Sequence, residues 1–154
     1  MEKKLAVIQI RGTVSTHPDV RKTLELLRLK KKNACVVLEH NEVSLGMVQR
    51  VKDYVTYGTI SEKSFIELID KRGEVVGGKT AAEAKVDSKK VAKEFFSGDL
   101  KLRDFESKHS LKPFFRLHPP RGGFERKGIK MPFAKGGVLG NRGDKMEELI
   151  SKML

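Results

Sequence analysis

The amino-acid sequence predicts a protein of the α+β class. Residues 1–60 are expected to form a two-layer α/β sandwich with the element order β-α-β-α-β and one small core. Three segments rich in β-branched residues indicate strands: Leu5–Ile10, Ala34–Glu39 and Tyr54–Ile60. The second of these is apolar on both faces, which predicts a central strand. Between the strands, apolar residues recur at helical spacing and the connections are short. Each helix therefore returns the chain to the sheet.

Two helices are predicted within this core. The first covers Pro18–Leu29, because proline is tolerated in the first helical turn and Val20 and later leucines follow at helical spacing. The lysines that follow Leu29 are placed well for the negative end of the helix dipole. The second helix is predicted to begin at a cap, either Asn41 or Ser44, and to end near Asp53.

Residues 61–110 predict a small helical insertion followed by a linker. Ser61 is a candidate cap for a short helix, and a second helix is expected to stop at Gly98. The stretch Asp99–Ser110 is charged and lacks apolar periodicity, so we expect it to connect rather than to pack.

Residues 111–154 contain the most unusual part of the sequence. Between residues 111 and 143 eight Lys or Arg stand against one acid, Glu125, which gives a net charge of +7 out of +12 for the chain. The same window holds seven of the 14 glycines and four of the five prolines. Such a segment cannot bury enough apolar surface to fold alone, and its charges favour a polyanionic partner.

We call residues 111–143 the arm and expect it to be an extended hairpin, either a β-ribbon or a large loop, that is partly mobile when free and ordered on a nucleic acid. A final helix is expected to begin at Asp144, with Glu147 completing a capping box. Because this helix can bury four apolar residues, the arm should leave the fold and return to it. The buried residues are expected to be Met146, Leu149, Ile150 and Met153.

Several other functions lack the residues they need. The longest apolar run, Ala34–Leu38, is too short for a membrane span, and no export signal is expected. The single cysteine, Cys35, is expected to pack in the core of a cytoplasmic protein. The four histidines lack metal-ligand spacing, and the glycines of Gly137–Gly143 do not form a nucleotide-binding loop. We therefore expect no metal, no cofactor, no catalytic group and no small-molecule substrate.

The segments HPDVRKTLELLRLKKKNACVVLE (His17–Glu39), SLGMVQRVKDYVTYG (Ser44–Gly58) and FRLHPPRGGFERKGIKMPFAKGGVLGNRGDKMEELI (Phe115–Ile150) resemble the archaeal form of large-subunit ribosomal protein thirty. Eukaryotic members of this universal family are called protein seven. The resemblance implies a ferredoxin-like RNA-binding core and a role in the cytoplasmic ribosome. Implied partners are large-subunit rRNA, with 5S rRNA as a further candidate, and neighbouring ribosomal proteins.

Two other functions stay open on the residues alone. An RNA-processing enzyme would need a general base or a metal cluster, and none is visible. A non-ribosomal RNA-binding regulator would be expected to carry a recognised reader motif, and none is visible either.

The candidate RNA-binding residues lie on the core and on the arm. Arg21 and Arg28 are expected to share one face of the first helix, since seven residues make nearly two turns. Gly46 and Met47 are expected at the start of the second helix, where backbone N–H groups can meet phosphate. A solvated basic face is the alternative for the core cations. The core set is Arg11, Arg21, Lys22, Arg28, Lys30, Lys31, Lys32, Gly46 and Met47, and the arm set is Arg116, His118, Arg121, Arg126, Lys127, Lys130, Lys135 and Arg142.

Aromatic residues leave two interpretations open. Phe115, Phe124 and Phe133 are spaced along the arm and can either stack on unpaired bases or attach the arm to the core. The same choice applies to Tyr54 and Tyr57 of the third strand.

Overall fold

The computed structural model describes residues 3–154, which form a mixed five-stranded sheet covered by helices. The strand order is β4-β2-β1-β3-β5, and only β5 runs parallel to its neighbour. The strands are β1 (Lys4–Gln9), β2 (Ala34–Glu39), β3 (Val55–Ile60), β4 (Phe115–Arg116) and β5 (Gly140–Asn141). The helices are α1 (Pro18–Leu26), α2 (Glu42–Arg50), α3 (Glu62–Arg72), α4 (Ser88–Ser97), α5 (Phe105–His109) and α6 (Met146–Met153). These elements confirm the predicted α+β class.

The strand β1 lies at the centre of the sheet and is buried along its whole length. Its side chains alternate between two separate apolar clusters, as the period of a strand requires. Ala6 and Ile8 belong to one cluster, and Leu5 and Val7 belong to the other. The sheet therefore has a core on each face.

Helices cover both of these faces. Leu24 of α1 and Val48 of α2 pack on the face that carries Leu5. The other face is covered by α3, α4 and α6, with Phe65 of α3 stacked on Phe95 of α4 at 5.1 Å between ring centroids. Apolar residues late in the chain thus supply a layer whose position the sequence did not predict. No helix among residues 3–154 has the length and apolar character needed to cross a bilayer.

The N-terminal caps Asn41 and Ser61 are as predicted, but α1 and α2 each end three residues earlier than expected. The Asn41 side chain accepts a hydrogen bond from the Ser44 N–H at 2.7 Å. Helix α1 ends at Leu26, three residues earlier than expected, because Arg28 adopts a left-handed conformation with φ 63°. The Leu29 N–H then donates to the Leu24 carbonyl at 2.9 Å, which closes a Schellman motif.

The expected linker between residues 99 and 110 is instead folded. It contains a short 3₁₀ helix, Leu102–Asp104, and then α5. Phe105 is buried and lies 5.2 Å from the Phe95 ring centroid. Two buried side chains, Leu100 and Phe105, therefore anchor a segment that has no apolar periodicity.

Asp144 and Glu147 do not form the predicted capping box. A 3₁₀ turn over Gly143–Lys145 precedes α6, and no side chain caps that helix. The Asp144 carboxylate accepts from the Thr59 hydroxyl at 2.8 Å, and Glu147 accepts from the Ser61 N–H at 2.6 Å. Both carboxylates therefore hold α6 to the end of β3. The four predicted apolar residues of this helix are buried, as expected.

Gly58 of β3 allows the close approach of α6. A Cβ at this position would overlap the Gly143 carbonyl oxygen and lie 2.7 Å from the Met146 Cβ. We expect Gly58→Ala to lower the free energy of unfolding by about 1–3 kcal/mol, the usual cost of overpacking. Chemical denaturation measures this loss.

Gly46→Ala provides the matched control for that prediction. Gly46 lies inside α2 and a Cβ there would meet nothing within 4 Å. Helix propensity alone should raise the free energy of unfolding by up to about 1 kcal/mol. Equal effects of the two alanines would contradict the proposed close approach at Gly58.

Candidate nucleic-acid interface

The sheet topology brings five segments of the chain together at one end of the sheet. β1 ends at Gln9 beside Val55, the first residue of β3, and β2 begins nearby at Ala34. β4 ends at Arg116 opposite Ala34, and β5 begins at Gly140 next to the start of β3. We call this the basic end of the sheet, because the cations Arg11, Lys30, Lys31, Lys32, Lys52 and Arg116 flank these strand ends.

A first groove at the basic end joins the core to the arm. It has a volume of about 340 Å³, and we call it the Phe114 groove. The Arg116 guanidinium carbon lies 5.7 Å from the centroid of the Phe114 ring. The lining residues are Arg28, Lys30, Lys31, Ala34, Glu106, Pro113, Phe114 and Arg116. Cations predicted separately on the core and on the arm therefore form a single surface.

A second groove, with a volume of about 360 Å³, also joins the core to the arm, and we call it the Tyr54 groove. Arg11 lies over the Tyr54 ring at 5.1 Å and donates to the Asp53 carbonyl at 3.4 Å. Lys52 and the arm residue Lys130 also line it. The remaining lining residues are Pro132, Leu139 and Gly140. Cations around an aromatic ring are a suitable arrangement for phosphate and base contact.

The other core cations are less concentrated. Arg21 donates to the Thr13 carbonyl at 3.3 Å, which attaches it to the loop after β1. Lys22 is exposed on α1. The side chain of Lys32 lies against Gly12, since its Cε would be 3.2 Å from a Cβ added to that glycine. The predicted shared helical face of Arg21 and Arg28 is wrong, since α1 ends at Leu26 and Arg28 lies beyond it.

The predicted placement of Gly46 and Met47 at a helix N-terminus is also wrong. The cap at Asn41 starts α2 earlier, so both residues lie in mid-helix. Backbone N–H groups at that depth are taken by the helix itself and are not available to phosphate. Both residues line a shallow surface between α1 and α2 that includes the exposed Leu26.

The arm is a compact loop rather than a long β-ribbon. Its two ends form the edge strands β4 and β5, each two residues long. Inside the loop, the Val138 N–H donates to the Met131 carbonyl at 2.9 Å, and the Lys127 N–H donates to the Gly136 carbonyl at 3.3 Å. The backbone bends where glycines permit it, because six of the seven arm glycines have positive φ. They are Gly122, Gly123, Gly128, Gly136, Gly140 and Gly143.

Most of the predicted arm cations are exposed and point away from the core. The His118 N–H donates to the Met153 carbonyl at 3.0 Å, and the Arg121 N–H donates to the Lys152 carbonyl at 2.9 Å. These backbone bonds attach the arm to the end of α6 and leave the side chains available. The exposed arm side chains are Arg116, His118, Arg121, Arg126, Lys127, Lys130 and Lys135.

Arg142 differs from the other arm cations because its side chain is only 3% exposed. Its Nη1 donates to Glu125 at 2.6 Å, its Nε donates to the Thr56 hydroxyl at 2.9 Å, and its Nη2 donates to the Val138 carbonyl at 3.3 Å. The guanidinium also lies 4.8 Å from the Phe133 ring centroid. A phosphate could reach this group only by displacing Glu125, so Arg142 is not a candidate RNA contact in the folded chain.

The predicted aromatic residues of the arm mainly attach it to the core. Phe115 is buried and packs edge-on against Phe65 at 6.2 Å, and Phe124 packs partly on the same cluster. Tyr57 is buried in the other cluster, and burial raises its pKa. Phe114 was not predicted as a binding residue from the sequence. Strand alternation offered a signal, because Phe114 must point away from the core if Phe115 points into it.

The structure also describes the surroundings of the single cysteine and of the potential metal ligands. Burial raises the pKa of the Cys35 thiol to about 12, so it stays protonated near neutral pH and packs as an apolar side chain. Within residues 3–154, no three His, Cys, Asp or Glu side chains are grouped so that they could hold a metal ion.

The left-handed Arg28 provides a test of the Phe114 groove. Glycine normally occupies this helix-ending position, and a left-handed side chain costs roughly 1–2 kcal/mol. We expect Arg28→Gly to weaken RNA binding. The slope of log affinity against log salt concentration should become shallower by about one, because one phosphate contact is lost. The free energy of unfolding should stay level or rise by up to about 1 kcal/mol, because the gain in unfolded-chain entropy offsets part of the relieved strain.

Arg28→Ala is the control, because it removes the charge and keeps the strain. It should bind RNA as weakly as the glycine variant but unfold more easily, as judged by denaturant titration. Wild-type RNA affinity in both variants would exclude Arg28 from the interface.

Comparison with known proteins places the chain in a family. Residues 5–55 match the sequence model described as Ribosomal protein L30p/L7e. The chain is 41% identical to the large ribosomal subunit protein uL30 of Methanococcus vannielii over 97% of this chain and 98% of the relative. It is 44% identical to the Aeropyrum pernix protein of the same name over 97% and 98%, and 43% identical to that of Staphylothermus marinus over 97% of each. With this similarity along nearly its whole length, the chain belongs to the ribosomal protein L30p/L7e family.

Proposed function

We propose that this chain is a structural protein of the large ribosomal subunit that binds large-subunit rRNA and supports subunit assembly and translation. The observation that carries the proposal is the basic end of the sheet, where core and arm cations surround two half-buried aromatic rings. Relatives that match along the whole chain are named as large-subunit proteins. Since this is a ribosomal protein family, the proposed role is structural and not catalytic.

The proposed binding mode is electrostatic and geometric. Exposed lysines and arginines neutralise closely spaced phosphates, and the turns of the arm present them beyond the surface of the core. Recognition of folded RNA depends mainly on shape and backbone, with base contacts restricted to unpaired nucleotides. The proposed partners are large-subunit rRNA, with 5S rRNA as one candidate, and neighbouring ribosomal proteins in the cytoplasmic ribosome.

Sucrose-gradient sedimentation tests this proposal directly. A tagged copy of the full chain should sediment with the large subunit in a lysate and stay there after a high-salt wash. A tag found near the top of the gradient, or removed by the wash, would contradict an integral structural role and favour a free RNA-binding regulator or an RNA-processing enzyme.

A triple variant of the arm separates assembly from folding. Arg121, Arg126 and Lys127 are exposed and form no side-chain ion pair with any residue that the structure describes. Replacing all three with Gln should reduce incorporation into subunits strongly while the thermal midpoint changes little. Equal loss of folding and incorporation would instead mean that these residues hold the arm together.

The matched control changes the same number of charges elsewhere. Three exposed lysines on α3 and α4 line neither the Phe114 groove nor the Tyr54 groove. Their replacement by Gln should leave incorporation unchanged. These lysines are Lys63, Lys89 and Lys93.

A further inference from the structure

The Phe114 ring lies outside both apolar clusters of the fold. It is half-buried, but it packs against neither of the two core clusters, unlike the adjacent Phe115. Its one aromatic or cationic contact among the described residues is Arg116, 5.7 Å from the ring centroid. Part of this ring stays in contact with water, which forgoes part of the stabilisation that full burial would provide. The ring is therefore available for a ligand with a flat face.

The chemistry around the ring is suited to a nucleotide. Lys30, Lys31 and Arg28 line the groove and are placed to neutralise phosphate. The Arg116 guanidinium is planar and can extend the aromatic surface on which a base stacks. The groove volume of about 340 Å³ is within the range of small-ligand sites, which begins at roughly 300 Å³.

One carboxylate stands among these cations. Glu106 lines the groove, and its side chain forms no ion pair or hydrogen bond with any group among residues 3–154 that the structure describes. A carboxylate repels phosphate, so it does not serve the same ligand group as the lysines. It accepts hydrogen bonds, and the Watson–Crick edge of guanine presents two adjacent N–H donor groups.

We propose that the Phe114 groove holds one unstacked RNA nucleotide and prefers guanine. In this site the base stacks on Phe114, Glu106 accepts from the guanine N–H edge, and the lysines contact the flanking phosphates. The proposal rests on the proposed RNA-binding function and adds a base preference to it. Uracil fits least well, because carbonyl oxygens flank its single N–H on that edge and face the carboxylate.

The test uses the full chain and four RNA heptamers, each with six uridines around a central G, A, C or U. Fluorescence anisotropy at low salt should show the central-G oligomer binding about fivefold or more tightly than the central-U oligomer, as expected for a bidentate contact. Glu106→Gln should remove most of this preference, since an amide presents one acceptor oxygen instead of two. Glu67→Gln, an exposed charge-matched change outside the groove, should keep it.

Variants of the ring test the stacking step. Phe114→Leu keeps apolar volume and removes the aromatic face, so it should weaken binding of the central-G oligomer about fivefold or more. Phe114→Tyr keeps the face and should bind like the wild type. Circular dichroism of each variant checks that folding is retained.

The outcomes distinguish this proposal from the proposed function. Equal, salt-dependent affinity for all four oligomers would overturn the guanine site and leave rRNA binding intact. A guanine preference that survives both Glu106→Gln and Phe114→Leu would overturn the assignment to this groove. No binding of any oligomer at low salt, together with failure to sediment with large subunits, would overturn both.

Discussion

Raising the salt concentration from about 50 to 200 mM should weaken binding of this chain to deproteinised large-subunit rRNA by about 10³–10⁵-fold. This range corresponds to roughly 6–10 phosphate contacts, each of which releases condensed counterions. The basic end of the sheet and the exposed arm cations together provide enough side chains for that number. Filter binding or anisotropy across a salt series measures the slope of log affinity against log salt.

Two controls connect that slope to particular residues. Replacing Arg121, Arg126 and Lys127 with Gln should reduce the slope by about two to three, since each lost contact removes roughly 0.7–0.9. An uncharged osmolyte at equal osmolality should leave the affinity of the wild-type chain unchanged. An affinity that is flat across the salt series would contradict phosphate neutralisation as the basis of binding.

Removing the Arg142 side chain should destabilise the fold more than removing any of the exposed arm cations. Arg142→Met should lower the free energy of unfolding by about 3 kcal/mol, the lower end of the range for breaking a buried ion pair. The lower end applies because Glu125 is still 30% exposed and can be partly solvated. Glu125 is left without its main partner, and its Oε2 already lacks one. Arg126→Met, a neighbouring exposed change, should stay within about 0.5 kcal/mol of the wild type.

The pH dependence of stability offers an independent check on the same pair. Burial alone would raise the pKa of Glu125, but the hydrogen bond and charge of Arg142, with help from a backbone N–H and Lys152, lower it below its usual 4.5. A lowered pKa means that this contribution is present above the usual value and is lost as pH falls through the folded-state pKa. Glu125→Gln should therefore reduce the loss of unfolding free energy that the protein shows as pH falls. If the variant loses as much stability at acid pH as the wild type, the Glu125–Arg142 pair does not contribute to that loss.

Hydrogen exchange can show whether the same contact orders the arm. Arg142 connects Glu125 in the loop to Thr56 of β3, so its loss should speed exchange in the arm more than in β1. Uniform acceleration throughout the chain would indicate global unfolding and not release of the arm. The predicted ordering of the free arm on RNA is measured by the same method with and without rRNA.

Local sequence signals predicted most of the secondary structure. Strand alternation, the Asn41 cap and the Gly98 stop depend on neighbours close in the chain, and each was found where expected. Some of the errors arose where distant residues compete. Asp144 and Glu147 bind groups on β3 and at the start of α3 in place of their own helix. Leu100 and Phe105 pack into the core from a stretch that lacks periodicity. The division of the chain at residues 60 and 110 stays a prediction, since one apolar cluster takes side chains from all three parts.

Residue content predicted the character of the candidate interface, but only the folded geometry decided which residues form it. Net charge and the glycine-rich arm predicted a polyanion-binding surface, because both are properties of residue content. They could not reveal that Arg142 is buried, since that depends on a carboxylate 17 residues away. They could not reveal either groove, since each is formed by segments that are distant in the sequence.

By itself, the sequence determined the α+β class, the positions of most helices and strands, the basic character of the arm and the family resemblance. Those features follow from short-range patterns and composition, which the chain carries whether or not it is folded. Only the tertiary structure decided which cations face solvent, that Arg142 is paired inside, and that core and arm meet around Phe114 and Tyr54. The physical reason is that burial and pairing depend on strand order, and strand order is a property of the whole sheet.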